Sequence, residues 1–112
     1  MIFQGMEREL FIRGVPGDKP INEATLPAVR TVLENATDDA IRVLRDIASA
    51  RGDMDRRAGR RLFKARYEQP ARRRVATAIG RVERQMRAGD ITAQPVTQFL
   101  ADAIKEALNG PN

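Results

Sequence analysis

Four apolar residues set in the most basic part of the chain fix what it can fold into. Val75, Ile79, Val82 and Met86 follow one another at steps of four, three and four, the period of one helix face and of no strand. Arg73, Arg84 and Arg87 stand between and around them, pointing elsewhere. A seam that narrow belongs to a helix that packs along one line on a neighbour and keeps the rest of its surface in water. The spacing predicts this helix from Pro70 to Ala88.

The same period recurs on either side. Leu26, Val29, Val32, Leu33 and Ala36 predict a first helix that starts at Thr25, because Pro27 is tolerated only in a first turn. Thr37 then reads as the N-cap of a second helix. Asp38 and Asp39 follow in its first turn, where carboxylates meet the positive end of the macrodipole. Ile41, Leu44, Ile47 and Ala48 form its buried face, and Gly52 stops it after Arg51. These two helices are expected as an antiparallel hairpin. A third, from Asp53 to Tyr67, takes Asp53 as its cap. Ala58, Leu62 and Ala65 line one of its faces, with Phe63 and Tyr67 beside them in a core or an interface, and Gln69-Pro70 breaks it from the seam helix. The last helix starts near Thr92, with Pro95 in its first turn. It carries Val96, Phe99, Leu100, Ala103, Ile104, Ala107 and Leu108 inward, and Asn109-Gly110-Pro111 ends it.

The N-terminal part reads differently. Met6 is a candidate start, and residues 1–5 show no pattern. Glu7 to Val15 alternates, with Leu10 and Ile12 on one side, which is an extended-strand signal. Such a strand either lies over the helices or pairs with its copy in a second subunit. Gly14 to Pro20 is a loop by composition, with two Pro and two Gly; its resemblance to a phosphate loop fails on spacing and on the donor that Pro20 removes. The expectation is an all-α protein, a compact bundle of about five helices with an extended N-terminal arm. Residues 1–20 are its arm and loop, and residues 21–112 are one helical domain.

Composition closes off most chemistry. Aromatic residues make up 4% of the chain and Trp is absent, so the core is built from Leu, Ile, Val and Ala. The sequence has neither Cys nor His, which removes disulfides, thiolate nucleophiles, thiolate zinc sites and the commonest general base. Asp53 and Asp55 have the look of a carboxylate pair, but no third acid follows at a metal-loop spacing, and cap or salt-bridge roles are expected of both. No enzyme, metal, cofactor or small-molecule substrate is expected. With no long apolar run, the chain reads as cytoplasmic and free of the membrane.

Charge is what remains. Arg51 to Arg87 holds thirteen bases against four acids, a local +9, while the segments before and after it each carry −2. Two groups stand out, Arg56, Arg57, Arg60, Arg61 and Lys64 on the third helix and Arg72, Arg73 and Arg74 at the start of the fourth. Three arginines at the positive end of a helix are costly unless an anion offsets them. The expected function is non-enzymatic binding of the DNA or RNA backbone through these eight side chains. The alternative is an adaptor or inhibitor whose basic helices dock on an acidic protein, or a homodimer made along the narrow seams. Convergence of the two groups on one surface favours nucleic acid, and divergence favours the protein partner.

Overall fold

The computed structural model describes residues 2–89 and 94–109. Along them run α1 (Ile2–Ile12), α2 (Leu26–Ala50), α3 (Arg57–Phe63), a π-helical turn (Lys64–Glu68), α4 (Gln69–Arg87) and α5 (Val96–Asn109). Since α3, the π turn and α4 follow without a break, the described residues make four helical bodies. The all-α bundle stands; the count is four where the sequence suggested five.

Three of the differences have a physical cause. The first is the arm. Residues 2–12 are helical, and Met6 and Leu10, one helical turn apart, are buried in the main core. A lone strand leaves its backbone groups unpaired, whereas a helix pairs them within itself, and the alternation from Glu7 to Val15, with no second strand to pair it, does not outweigh that. The helix ends in a Schellman motif, with Gly14 N–H on Phe11 O at 3.1 Å and Val15 N–H on Leu10 O at 3.0 Å. Gly14 supplies the φ of +69° that this ending needs.

The second is Thr37. It begins no helix; it lies within α2, 1% exposed, and its hydroxyl donates to Leu33 O at 2.8 Å. A threonine can bond backward to the carbonyl one turn earlier as readily as it caps, and no Gly or Pro near it forces a stop. The helix does end where Gly52 predicts. Gly52 N–H reaches Ser49 O and Asp53 N–H reaches Ala48 O, both at 3.0 Å. This ending occupies Asp53, so the N-cap of α3 is Arg56, and no side chain caps it.

The third is Gln69-Pro70. Phe63 and Ala71 are buried in one cluster, eight residues apart. Eight α-helical steps of about 100° leave the second residue about 80° off the line of the first. The π turn absorbs one residue and brings the two into line, with Gln69 N–H bonded to Lys64 O. Its wider turn also gives the Pro70 ring room where an α-helix would press it against the carbonyl four residues back. The proline thus marks a change of helical pitch rather than an end.

Packing sorts the bundle into two parts. α2 packs on α1, α4 and α5, and α4 packs on α5. Their shared core includes Val29, Val32, Leu33, Val75, Ile79, Val82, Val96 and Leu100. The loop before α2 closes the start of α5, since Lys19 O accepts from Val96 N–H at 2.9 Å and Gly17 O accepts from Thr97 N–H at 3.0 Å. Pro20 and Pro95 form an isolated antiparallel bridge. Farther along, the ends of α2 and α3 project as a two-helix hairpin held by a smaller cluster of Ile41, Phe63 and Ala71. The projection makes the molecule 48 Å long and 19 Å thin, with a radius of gyration of 15.5 Å, against about 13 Å for a compact chain of this size. Leu62, expected on a buried face with Ala58 and Ala65, is 62% exposed, and those two alanines are exposed with it. Ile47 is also exposed, and Phe63 is the one residue of α3 that is buried in the cluster. The start expected near Thr92 and the stop expected at Gly110 and Pro111 lie outside the described residues.

Gly80 sits inside α4, and a Cβ there would meet only the far end of Arg84, at 3.5 Å. Gly80→Ala is therefore expected to raise stability by about 0.5–1 kcal/mol, from the entropy a helical glycine loses on folding. Urea unfolding followed by circular dichroism measures it.

Candidate nucleic-acid interface

The two groups of bases are not alike. Arg72 is committed within the protein. It lies 2.6 Å from Asp38 and 3.3 Å from Glu68, and Glu68 also meets Arg45 at 3.4 Å. The hydrogen bond to Asp38 is the main cause that holds the Arg72 guanidinium above its usual pKa, and Glu68 adds to it while partial burial opposes. The four side chains alternate in sign across α2, the π turn and the start of α4, a ladder that fixes register more than stability, since exposed ion pairs contribute about 1 kcal/mol or less. Arg74 is half-buried and donates to Ala107 O at 3.2 Å, meeting the unpaired carbonyls near the end of α5. Arg73 has no ion pair among the described residues. Consecutive helical residues point about 100° apart, so these three cannot act on one ligand together. The electrostatic reason for grouping them also goes, because no helix begins at Pro70 and no positive helix end is there to repel them.

The other group stays together. Arg57, Arg60, Arg61 and Lys64 are spaced i, i+3, i+4, i+7, which keeps them within about 100° of one helix face. None of the four forms an ion pair among the described residues, nor do Arg51, Arg56 and Arg66 around them. Arg60 is held in place by Met54 O at 3.0 Å and Asp55 O at 3.2 Å, which closes the turn between α2 and α3. Residues 51–67 carry seven bases against two acids, a local +5. Asp53 and Asp55 form no ion pair and cap no helix; what Asp53 gives the fold is its backbone.

Gly59 keeps this turn closed. A Cβ on it would fall on the carbonyl oxygen of Asp53, so the start of α3 lies directly on the chain leaving α2. The close approach sets the angle at which the cationic face leaves the bundle. Arg51 and Arg66 belong to the same tip, though sequence spacing did not group them with it. Arg51 is placed there by the α2 ending at Gly52, and Arg66 lies 5.6 Å from the Tyr67 ring centre in a cation–π contact. The signal for Arg51 was its place beside a helix-ending glycine. Arg66 had no signal, because its direction depends on the π turn.

No helix of the described residues is long and apolar enough to cross a membrane. Comparison with protein-family models, with curated proteins and with solved structures gave no match.

Proposed function

We propose that the protein binds the backbone of nucleic acid, without catalysing a reaction, through the projecting tip of the α2–α3 hairpin. The observation that carries the reading is the face of Arg57, Arg60, Arg61 and Lys64, free of carboxylate partners at the end of the molecule that stands farthest from the core. Arg56 and Arg51 extend it toward the turn. A slender two-helix tip reaches phosphates with little steric obstruction, and guanidinium groups meet phosphate oxygens with paired hydrogen bonds. Arg72 and Arg74 are spent within the protein, so the two groups do not converge and the test that would have favoured nucleic acid through both is not met. The reading rests on the first group alone, whose four cations share one face. The lack of His and Cys suits a binder better than a catalyst.

Fluorescence anisotropy with arbitrary duplex and single-stranded oligonucleotides across a salt series tests the reading. The expected log–log slope on duplex is about −4, at roughly −0.9 per phosphate contact. Arg57→Glu with Arg61→Glu lowers affinity at least tenfold and flattens the slope, whereas Arg73→Glu leaves both nearly unchanged. No binding at about 50 mM salt, where phosphate contacts are strong, rejects the proposal.

A further inference from the structure

On its other side the hairpin tip has an apolar recess of about 220 Å³, and every residue that lines it comes from 48–67, with none from α1 or α5. Ala48, Met54 and Phe63 form its floor, while Leu62, Tyr67 and Arg66 stand at its edge. Leu62 is 62% and Tyr67 42% exposed, unusual for large apolar side chains grouped around one depression. Leu62 stands about 100° or more round the helix from each member of the cationic face, so the recess is a separate surface.

Its place in the fold shows what shape fits it. Leu62 and Pro70 are related across the π turn as Phe63 and Ala71 are, and Arg74 follows Pro70 by one turn. That line along the helix pair is the one α5 covers lower down, where Arg74 donates to Ala107 O. α5 ends at Asn109, and beyond it toward the tip this line runs to the recess with no described helix on it. From Arg74 to Leu62 it measures about 18 Å, the length of a helix of about twelve residues.

We infer that this groove seats an acidic amphipathic helix of a protein partner, laid end to end with α5. Charge selects the occupant. The recess itself holds one base and one acid, Arg66 and Asp53, but Arg66 at its edge has no ion pair among the described residues and the segment 51–67 around it carries a local +5. A second copy of this chain would have to bring two tips of +5 together, which like-charge repulsion opposes. An acidic helix pairs with the rim and puts its apolar residues beside Leu62, the helix-in-groove mode. The protein would then hold nucleic acid on one side of the tip and a protein on the other.

Titrating full-length protein into a fluorescein-labelled peptide of about twelve residues, Leu at helical spacing and Glu elsewhere, tests the inference, with a second peptide carrying Lys for Glu as control. The acidic peptide is expected to bind at least tenfold tighter than the basic one, and Leu62→Glu to weaken it at least tenfold. Circular dichroism verifies that the variant is folded, which the exposure of Leu62 leads one to expect. Equal binding of the two peptides overturns the inference, as does an unchanged affinity in Leu62→Glu. Displacement of the peptide by a single-stranded oligonucleotide in both wild type and Arg57→Glu/Arg61→Glu would assign the groove to nucleic acid instead. Self-association in sedimentation that Leu62→Glu abolishes would assign it to a second copy.

Discussion

Deleting Ala65 together with Pro70→Ala is expected to leave a folded protein that is α-helical from Arg57 to the end of α4, whereas deleting Ala76 is expected to leave none. The π turn at Lys64–Glu68 holds one residue more than an α-helix of the same phase. Removing exposed Ala65 takes that residue out and keeps Phe63, Ala71 and Val75 on the side that faces α2. Pro70 must change with it, because in an unbroken α-helix a proline costs about 3 kcal/mol. Deletion at Ala76 has no such reservoir. It turns Ile79 and Val82 by about 100°, away from the core they share with Val29 and Leu33, and replaces them with charged neighbours. Losing two large core side chains at about 2–5 kcal/mol each, with charged groups driven into their place, amounts to most or all of the about 5–15 kcal/mol that holds such a domain folded. Thermal unfolding by circular dichroism separates the outcomes: a cooperative transition in the double change and none in the other. If both deletions unfold the chain, the π turn is not what keeps the phase.

Gly59→Ala is the second large effect. The added methyl would occupy the position of the Asp53 carbonyl oxygen, and a backbone atom held by the Gly52 helix ending cannot swing aside as a side chain does. Overpacking of this kind costs about 1–3 kcal/mol, and more where backbone must move. The Tm is expected to fall by about 4–12 °C, at roughly 4 °C per kcal/mol. Since Gly59 is at the tip, the nucleic-acid affinity should fall with it through the altered angle of Arg57 and Arg61, even at temperatures where the bundle is intact. Gly80→Ala is the matched comparison, the same chemical change in the same helical body with the opposite sign. An unchanged Tm in Gly59→Ala would show that the two segments do not approach as closely as the structure has them.

Much of this was readable from the residues. The seam of Val75, Ile79 and Val82, the inward face of α5 and the stop at Gly52 each rest on a local pattern that tertiary packing reinforces. What escaped the sequence was of another kind. Thr37 and Pro70 are residues with two uses, and which one applies depends on whether the helix is packed on a neighbour on both sides of them. The N-terminal helix has only Met6 and Leu10 to declare it, and two residues do not make a period. For the candidate site, the face of Arg57, Arg60, Arg61 and Lys64 was legible because its spacing is short and lies within one helix. The exclusion of Arg72 and Arg74 was not, because their partners Asp38 and Ala107 lie 34 and 33 residues away in the chain.

The small cluster of Ile41, Phe63 and Ala71 at the tip has a consequence for how the molecule moves. Free energies of local opening follow the amount of packed apolar surface, and the hairpin end has far less of it than the four-helix body. Its seven cations repel one another across the same few turns. The tip is therefore the segment whose amide protons exchange first while the rest stays closed. A polyanion that neutralises it would be felt as stiffness, with slower exchange from Arg51 to Tyr67 and little change in the body beneath. Weak packing at that end leaves the proposed binding surface free to adjust its angle before a ligand would hold it.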